Sequence, residues 1–234
     1  MKYQQEIHDD SWESRKPHRD IVTRKPRIKE TISLLEHFTH DGDQIFDLGC
    51  GDGTVGALLK DNYRITIDGC DISEVAVNRA RNHYRTVYQL NIDDDDIPVE
   101  SGSYDIVICT DILEHTLSPI HALIEIQRIL KNDGVTVVSV PNYGFIRYRI
   151  QSLIGNLPSI IRDKRHYSAF TLSHLGDLLG DSGLDVQKTM GISRLRRLAN
   201  IRPNLFAKTI IIKATPDTKI NRVDNFSDSN NNEV

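Results

Sequence analysis

The sequence predicts an α/β fold with a doubly wound, mostly parallel sheet that carries helices on both faces. Short apolar runs recur along the chain, and segments with the apolar spacing of amphipathic helices separate them. This alternation is typical of consecutive βαβ units, which build a parallel sheet. The 234 residues suffice for one such domain with a sizeable core and an appendage.

The apolar runs predict seven strands, near residues 44–48, 65–70, 86–90, 104–109, 135–140, 184–190 and 206–213. Helices are predicted near residues 54–61, 73–84 and 119–131, and two more begin at Pro26 and Thr171. Ser118 and Pro119 form a helix start signal, since proline is favoured at the first helical position. Gly134 and Gly183 are predicted to follow helix ends, where glycine adopts the required backbone conformation.

A glycine-rich segment follows the first predicted strand and leads into a helix. Residues 47–54 read DLGCGDGT, so three glycines separate an acidic residue from the helical pattern. Glycine permits a tight turn and lets a ligand approach bare backbone, where a Cβ atom would clash. The segment therefore predicts a loop that binds a nucleotide-like ligand.

The spacing of the glycines indicates which ligand. A dinucleotide-binding loop requires the pattern G-x-G-x-x-G, whereas here the third glycine is Gly53, one position too early. Asp47 lies two residues before the first glycine, where it would repel a pyrophosphate but could pair with a cationic amino group. S-adenosylmethionine contains a nucleoside and an amino group but no phosphate. The loop therefore predicts a methyl-donor site.

A second acidic residue supports this interpretation. Asp71 lies 24 residues after Asp47 and ends the next apolar run. An acidic residue in this position can accept hydrogen bonds from both ribose hydroxyls. The alternative is that Asp71 caps the following helix, although Ser73 is better placed for that role.

Taken together, five segments resemble the class I S-adenosylmethionine-dependent methyltransferases, and most closely their small-molecule "type 11" branch. The segments are DLGCGDG, CDIS, LNIDDDDIP, SYDIVICTDILEH and LKNDGVTVVSVPN, and the resemblance covers roughly residues 28–190. Residues 141–144 and the later segment from His166 to Thr171 also resemble MetW-like members. The resemblance implies a Rossmann-like fold and S-adenosyl-L-methionine as the cofactor. It implies donor contacts from Asp47, Gly49, Gly51, Asp71, Ile72, Asn91, Ile92 and Thr110.

Within that set, Asp47, Gly49 and Gly51 would hold the methionine part of the donor and Asp71 the ribose. Asn91 and the backbone of Ile92 would contact the adenine. Many relatives have aspartate at the position of Asn91, but an amide carbonyl can still accept a hydrogen bond from the adenine amino group.

Methyl transfer requires little covalent help from the protein, because the sulfonium already activates the methyl group. The protein supplies in-line positioning and a dry pocket, and a general base is needed only for a poorly ionised nucleophile such as a hydroxyl. Glu114 and His115 follow the fourth strand and are the candidates for this role, and His166 is a third. Each of these residues could instead have a structural role, such as capping a helix or bridging two loops.

After the fifth strand, residues 143–170 mix aromatic and cationic side chains. In relatives, an insertion at this point forms a helical lid over the acceptor. Arg147, Arg149, Arg162 or Arg165 is therefore predicted to clamp an anionic acceptor, a carboxylate or a phosphate, and His166 is a further candidate for contact with the acceptor. The alternative is a surface helix whose arginine stems cover apolar neighbours. A second basic cluster in residues 194–202 could serve the same acceptor or an anionic membrane surface.

Composition limits the remaining possibilities. The net charge of −4 makes nucleic acid an improbable partner. The segment after the fourth strand, TDIL, also lacks the [DNS]-P-P-[YFW] motif of many amino-methylating nucleic-acid enzymes. Three cysteines without metal spacing indicate buried, reduced thiols in a cytoplasmic protein. The polar start and the lack of a long apolar stretch predict neither a signal peptide nor a transmembrane segment. The acidic run at residues 93–96 predicts a solvated turn rather than a metal site.

The chain is thus predicted to consist of a polar N-terminal extension (1–25), a methyltransferase domain (26–215) and a disordered tail (216–234). The favoured function is methyl transfer to a small or lipid-linked, anionic acceptor. One alternative is a donor-binding partner protein or regulatory subunit without catalysis, which the MetW-like features favour. Another is an oxidoreductase, which the glycine spacing and Asp47 oppose.

Overall fold

The computed structural model of the chain describes residues 2–14, 26–193 and 196–217. The strands are β1 (Gln44–Leu48), β2 (Thr66–Asp71), β3 (Thr86–Gln89), β4 (Tyr104–Thr110), β5 (Leu130–Pro141), β6 (Leu184–Ile192) and β7 (Thr209–Pro216). The helices are α1 (Lys2–Glu13), α2 (Pro26–Leu35), α3 (Thr54–Lys60), α4 (Glu74–Ala80), α5 (Pro119–Ile129), α6 (Ile146–Leu153), α7 (Leu172–Asp181), α8 (Arg196–Ile201) and α9 (Pro203–Phe206). Short 3₁₀ helices lie at Leu113–His115 and Ser159–Arg162.

The seven strands form one sheet with the order β3-β2-β1-β4-β5-β7-β6. Strands β1 to β5 are parallel, and β7 is antiparallel to both of its neighbours. The predicted α/β fold and its mostly parallel sheet are confirmed. Strand order reverses between β1 and β4, and ligands of such sheets bind outside the carboxyl ends of the strands at this point.

Two apolar clusters cover the two faces of the sheet. Side chains alternate between faces along each strand, so Ile45 and Phe46 of β1 belong to different clusters. The cluster around Ile45 contains buried residues of α2, α3 and α4. The cluster around Phe46 contains buried residues of α5 and α7. Helices on both faces therefore hold the sheet rigid and fix the loops at its carboxyl edge.

Most of the predicted helix boundaries are confirmed. The hydroxyl of Ser73 accepts a hydrogen bond from the Ala76 amide, and Gly183 follows α7 with φ of +75°. The predicted role of Gly134 after a helix end is wrong. Helix α5 ends at Ile129, and the chain enters β5 directly at Leu130, so Gly134 lies inside the strand. A Cβ atom there would lie 2.9 Å from a backbone oxygen, and this close approach requires glycine.

Some predictions concern residues that the structure does not describe. Apart from Pro216 and Asp217, the predicted disordered tail lies outside the described residues, and so does Arg194 of the second basic cluster. The three cysteines are buried and unpaired, as predicted. Within the described residues, every helix is too short or too polar to cross a bilayer.

Candidate active site

The glycine-rich turn projects from the carboxyl end of β1. Gly49 and Gly51 have φ of +72° and +55°, a region that residues with side chains rarely adopt. A Cβ atom on Gly49 would lie 2.0 Å from the side chain of Ile112, which follows β4. The turn therefore packs directly against the loop after β4, and only glycine fits there.

Asp47 lies beneath this turn and is 3% exposed. The hydroxyl of Tyr84 donates a 2.6 Å hydrogen bond to the Asp47 carboxylate. The same hydroxyl accepts a hydrogen bond from the Gly56 amide in α3. Burial raises the pKa of Asp47 to about 7. Asp47 lines neither of the two cavities described below, so its contact with a ligand amino group stays a prediction.

Asp71 connects the glycine-rich turn to the end of β2. Its carboxylate accepts hydrogen bonds of 2.9 Å from the amides of Gly51 and Ser73. Burial raises its pKa to about 6, although these hydrogen bonds oppose the shift. A carboxylate has about four acceptor positions, so Asp71 can still accept from a ligand hydroxyl.

An inner cavity of about 530 Å³ opens beside Asp71. Five of the eight residues predicted to contact the donor line it, namely Gly49, Asp71, Ile72, Asn91 and Ile92. Its remaining lining residues are Gln4, His8, Leu48, Cys70, Leu90, Asp93, Ile112, His115 and Thr116. A largely apolar slot with two carboxylates in its wall, Asp71 and Asp93, suits a planar base joined to a hydroxylated sugar.

Asn91 is held in this wall by the acidic run that follows it. The Asn91 side-chain amide donates to Asp94 at 2.9 Å, and its carbonyl accepts from the Asp93 amide at 3.3 Å. Asp93 in turn accepts from the amides of Leu117 and Ser118. The acidic side chains therefore face different partners and stabilise a turn.

An outer cavity of about 2260 Å³ adjoins the inner one. Both cavities are lined by His8, Gly49, Asp71, Ile112 and His115, so these residues form their common border. The outer cavity extends over Gly51, Thr110 and Glu114 to residues 163–166 of the segment after β5. A ligand in the inner cavity can therefore present one end to a second molecule in the outer cavity.

Glu114, His115 and His166 form one wall of the outer cavity. Glu114 is 3% exposed, and its backbone carbonyl accepts from the amides of Tyr167 and Ser168. The rings of His115 and His166 have centroids 4.9 Å apart. The structure therefore brings together the three residues that were candidates for proton transfer or acceptor binding.

The environment of His115 fixes its protonation. Its Nδ1 lies 2.9 Å from the backbone oxygen of Arg165, which can only accept, so Nδ1 carries the hydrogen. Burial lowers the pKa of His115 to about 4. The ring is therefore neutral near pH 7, and it is a weak proton acceptor there. Its role as a general base stays a prediction.

The structure does not bring Arg147 and Arg149 to either cavity. Both side chains are exposed on α6, because Tyr148 between them is the residue that α6 buries. Arg149 donates to the backbone oxygen of Gly144 and lines a separate hollow with residues of α8 and α9. Arg165 does line the outer cavity, paired with Asp163 at 2.7 Å. The lining has five carboxylates and this one guanidinium: Asp52, Asp71, Asp111, Glu114, Asp163 and Arg165.

Helix α1 is the part of the site that the sequence interpretation missed. The His8 ring lies edge-on to His115 with centroids 5.6 Å apart. The Trp12 ring covers Gly51, where a Cβ atom would lie 2.6 Å from it. Asp9 accepts a hydrogen bond from the Ser73 hydroxyl, which anchors α1 beside α4. Residues 1–25 contain no recognisable motif, and the lone Trp12 is the one signal that could have indicated a buried contact.

The fold and the site together define an α/β protein with two adjoining cavities at the carboxyl edge of its sheet. Residues 22–189 match the profile of the methyltransferase domain family, and the chain belongs to that family.

Individual relatives agree with this assignment. A probable S-adenosylmethionine-dependent methyltransferase of Mycolicibacterium smegmatis is 28% identical over 68% of this chain and 59% of its own length. A ubiquinone biosynthesis O-methyltransferase of Thiobacillus denitrificans is 26% identical over 65% of this chain and 68% of its own length. A magnesium protoporphyrin IX methyltransferase of Synechocystis, solved with bound SAH, has a TM-score of 0.64. The two sequences are 19% identical, and the structural match covers 97% of that chain and 92% of this one. The chain spans only 59% of the first relative.

Proposed function

We propose that this protein transfers a methyl group from S-adenosylmethionine to an oxygen of a small or lipid-linked acceptor. The observation that carries the proposal is the pair of adjoining cavities at the carboxyl edge of the sheet. The inner cavity would hold the adenosine, and the methionine would extend over the glycine-rich turn. The methyl group would then face the outer cavity, where the acceptor binds.

The inner cavity supports the donor assignment. Asp71, Ile72, Asn91 and Ile92 all line this cavity, so Asp71 would accept from the ribose hydroxyls and the other three would surround the base. The family membership and the named relatives favour the same ligand.

The charge of the outer cavity supports a neutral reacting group. Five carboxylates and one guanidinium line it, so a carboxylate or phosphate next to the methyl group would be repelled. A hydroxyl carries no charge before it reacts and is compatible with this lining. The relative from Thiobacillus denitrificans is named as an O-methyltransferase, which agrees with an oxygen nucleophile.

The surface outside the cavity supports a lipid-linked acceptor. Segment 142–162 contains three arginines and segment 196–208 contains four basic residues, and neither contains an acidic residue. The two segments meet at a hollow between Arg149 and residues 201–205. The exposed large apolar residues of these segments are Ile150, Leu153, Ile154, Leu157, Ile161, Leu198 and Ile201. We call the two segments the α6–α8 surface. Basic and apolar groups together favour an anionic membrane surface.

Three titrations and one assay test the proposal. Calorimetry with S-adenosylhomocysteine is expected to give micromolar binding, and Asp71→Ala should weaken it at least tenfold. Asp133→Ala, an exposed acid in β5, is the matched control and should leave binding unchanged. Incubation with S-adenosylmethionine and hydroxylated aromatic or lipid acceptors should then release S-adenosylhomocysteine.

The assay also separates the proposal from its alternative. Donor binding without methyl transfer to any hydroxylated acceptor would favour a partner protein or regulatory subunit without catalysis. Absence of donor binding by the unaltered protein would contradict both functions.

A further inference from the structure

We propose that Glu114, His115 and His166 bind one divalent transition-metal ion in the outer cavity. The ion would take an acceptor oxygen as a further ligand. The metal site itself does not depend on the proposed methyl transfer, whereas the role of the acceptor oxygen does.

Distance is the first argument. One potential ligand atom from each of the three side chains lies within 4.8 Å of the other two. Nitrogen and oxygen ligands of a tetrahedral zinc ion lie about 2.1 Å from the metal and therefore about 3.4 Å from each other. Rotations of the three side chains would be needed to bring the ligand atoms to this spacing.

The hydrogen bonds of the two histidines are the second argument. Nδ1 of His115 lies 2.9 Å from the Arg165 oxygen, and Nδ1 of His166 lies 2.8 Å from the Ile160 oxygen. Both backbone oxygens can only accept, so in both rings Nδ1 carries the hydrogen and Nε2 has a free lone pair. Histidines that ligate metals typically donate their other ring N–H to a carbonyl or carboxylate in this way.

Asp163 could compete with a metal ion for Nε2 of His166, but the two side chains are too far apart for a hydrogen bond. Its Oδ2 lies 3.9 Å from His166 Nε2, which is too long for a hydrogen bond. The same carboxylate accepts from Arg165 at 3.0 Å and 2.7 Å. Arg165 therefore holds Asp163, and the Nε2 of His166 remains available.

Rigidity is the third argument. Glu114 and His115 lie in the 3₁₀ helix after β4, and His166 belongs to the segment after β5. The amides of Tyr167 and Ser168 donate to the Glu114 backbone oxygen and join these two segments. Three ligands from two connected segments therefore form a prearranged site rather than a chance meeting of mobile side chains.

The ligand types indicate which ions fit. Two imidazoles and one carboxylate suit Zn²⁺, Mn²⁺, Co²⁺ or Fe²⁺, whereas Mg²⁺ and Ca²⁺ prefer ligand sets of oxygen atoms. The charged groups of this wall are Glu114, Asp111 and Asp163 against Arg165, and this excess of negative charge favours a cation.

Three protein ligands leave a coordination position open for the acceptor. A metal ion lowers the pKa of a bound hydroxyl, so the acceptor hydroxyl would lose its proton to water. The acceptor oxygen then forms a bond with the methyl carbon. The bond between that carbon and sulfur breaks, and its electron pair stays on sulfur, which gives neutral S-adenosylhomocysteine.

The test uses the full chain without a polyhistidine tag, stripped with a chelator and dialysed. Calorimetry with Zn²⁺ and visible absorption with Co²⁺ should each show one ion per chain. We expect His166→Ala and Glu114→Gln to weaken Zn²⁺ binding at least tenfold and to change the Co²⁺ spectrum. His174→Ala removes an exposed histidine of α7 and should retain binding. S-adenosylhomocysteine binding by each variant verifies that it is folded.

The outcomes separate this site from the proposed function. Binding of one ion that is lost in both cluster variants supports the site, whether or not methyl transfer is detected. Equal Zn²⁺ binding by the unaltered protein and His166→Ala, or no stoichiometric binding by a chain that binds S-adenosylhomocysteine, overturns it.

Discussion

The inner and outer cavities share a wall but are built in different ways. The inner cavity is formed mainly by the ends of β1, β2 and β3 and by the turns that directly follow them, and α1 and the loop after β4 complete its wall. The outer cavity combines α1, the loop after β4 and the segment after β5, which are far apart in the sequence. Local chain geometry therefore determines most of the donor side of the site, whereas long-range packing determines most of the acceptor side.

The largest expected effect comes from breaking the donor side at Gly49. In Gly49→Ala the new Cβ would lie 2.0 Å from the Ile112 side chain and the residue has φ of +72°, so the turn or the Ile112 side chain must move. Strain of this kind costs on the order of 1–3 kcal/mol before the clash is counted. We expect S-adenosylhomocysteine binding to weaken at least 100-fold in calorimetry, with a lower melting temperature.

The control for that prediction is Gly176→Ala in α7, where a Cβ atom would meet nothing within 4 Å. Alanine is favoured over glycine inside a helix, so the melting temperature should not fall. Unchanged donor binding in Gly49→Ala would contradict the assignment of the turn to the donor.

A smaller effect is expected where α1 joins the two cavities. Trp12→Ala removes the ring that covers Gly51 and opens the outer cavity to water. We expect S-adenosylhomocysteine to bind about tenfold more weakly, which corresponds to roughly 1.4 kcal/mol. Glu13→Ala, an exposed neighbour on α1, should bind like the unaltered protein. Equal affinities of the Trp12 and Glu13 variants would show that α1 is not part of the site.

The α6–α8 surface gives a still smaller effect that concerns the acceptor side alone. Leu153 and Ile201 are 86% and 74% exposed, so changing both to glutamine should leave stability unchanged. Co-sedimentation with vesicles that contain anionic lipid should fall severalfold, because apolar area is removed from the interface. Sedimentation equal to that of the unaltered protein would contradict membrane contact at this surface.

The smallest effect concerns the pH dependence of stability at Asp47, which is buried beneath the turn and lines neither cavity. Burial raises the pKa of Asp47 to about 7, above its ordinary value of 3.8. The proton therefore stabilises the fold below about pH 4, and this contribution is lost as pH rises to about 7. Asp47→Asn cannot ionise, so its melting temperature relative to the unaltered protein should be several degrees higher at pH 8 than at pH 5. A difference in melting temperature that is independent of pH would show that the pKa of Asp47 is not raised.

These contrasts explain how far the sequence could be interpreted. The strands, the glycine-rich turn and Asp71 follow from apolar periodicity and from spacings shorter than 30 residues, and the structure places them together. Glu114 and His115 could be identified because they directly follow a strand end. The contact of His166 with them depends on the path of the segment after β5, which no local pattern determines.

There is a physical reason why part of the site could not be predicted from the sequence. Helix α1 is polar, and its contribution depends on where it packs rather than on its own pattern. The exposure of Arg147 and Arg149 depends on which side of α6 faces the protein, and Tyr148 decides this by its burial. Charge alone in these segments could not distinguish a cavity wall from an outer surface.

The most direct test of the central claim is a crystal structure of the protein with S-adenosylhomocysteine. The account predicts adenine between Ile72 and Asn91, ribose hydroxyls within hydrogen-bond distance of Asp71, and the sulfur facing the outer cavity near His115. Adenosine bound elsewhere, or a sulfur that faces away from Glu114, His115 and His166, would contradict the assignment of the two cavities.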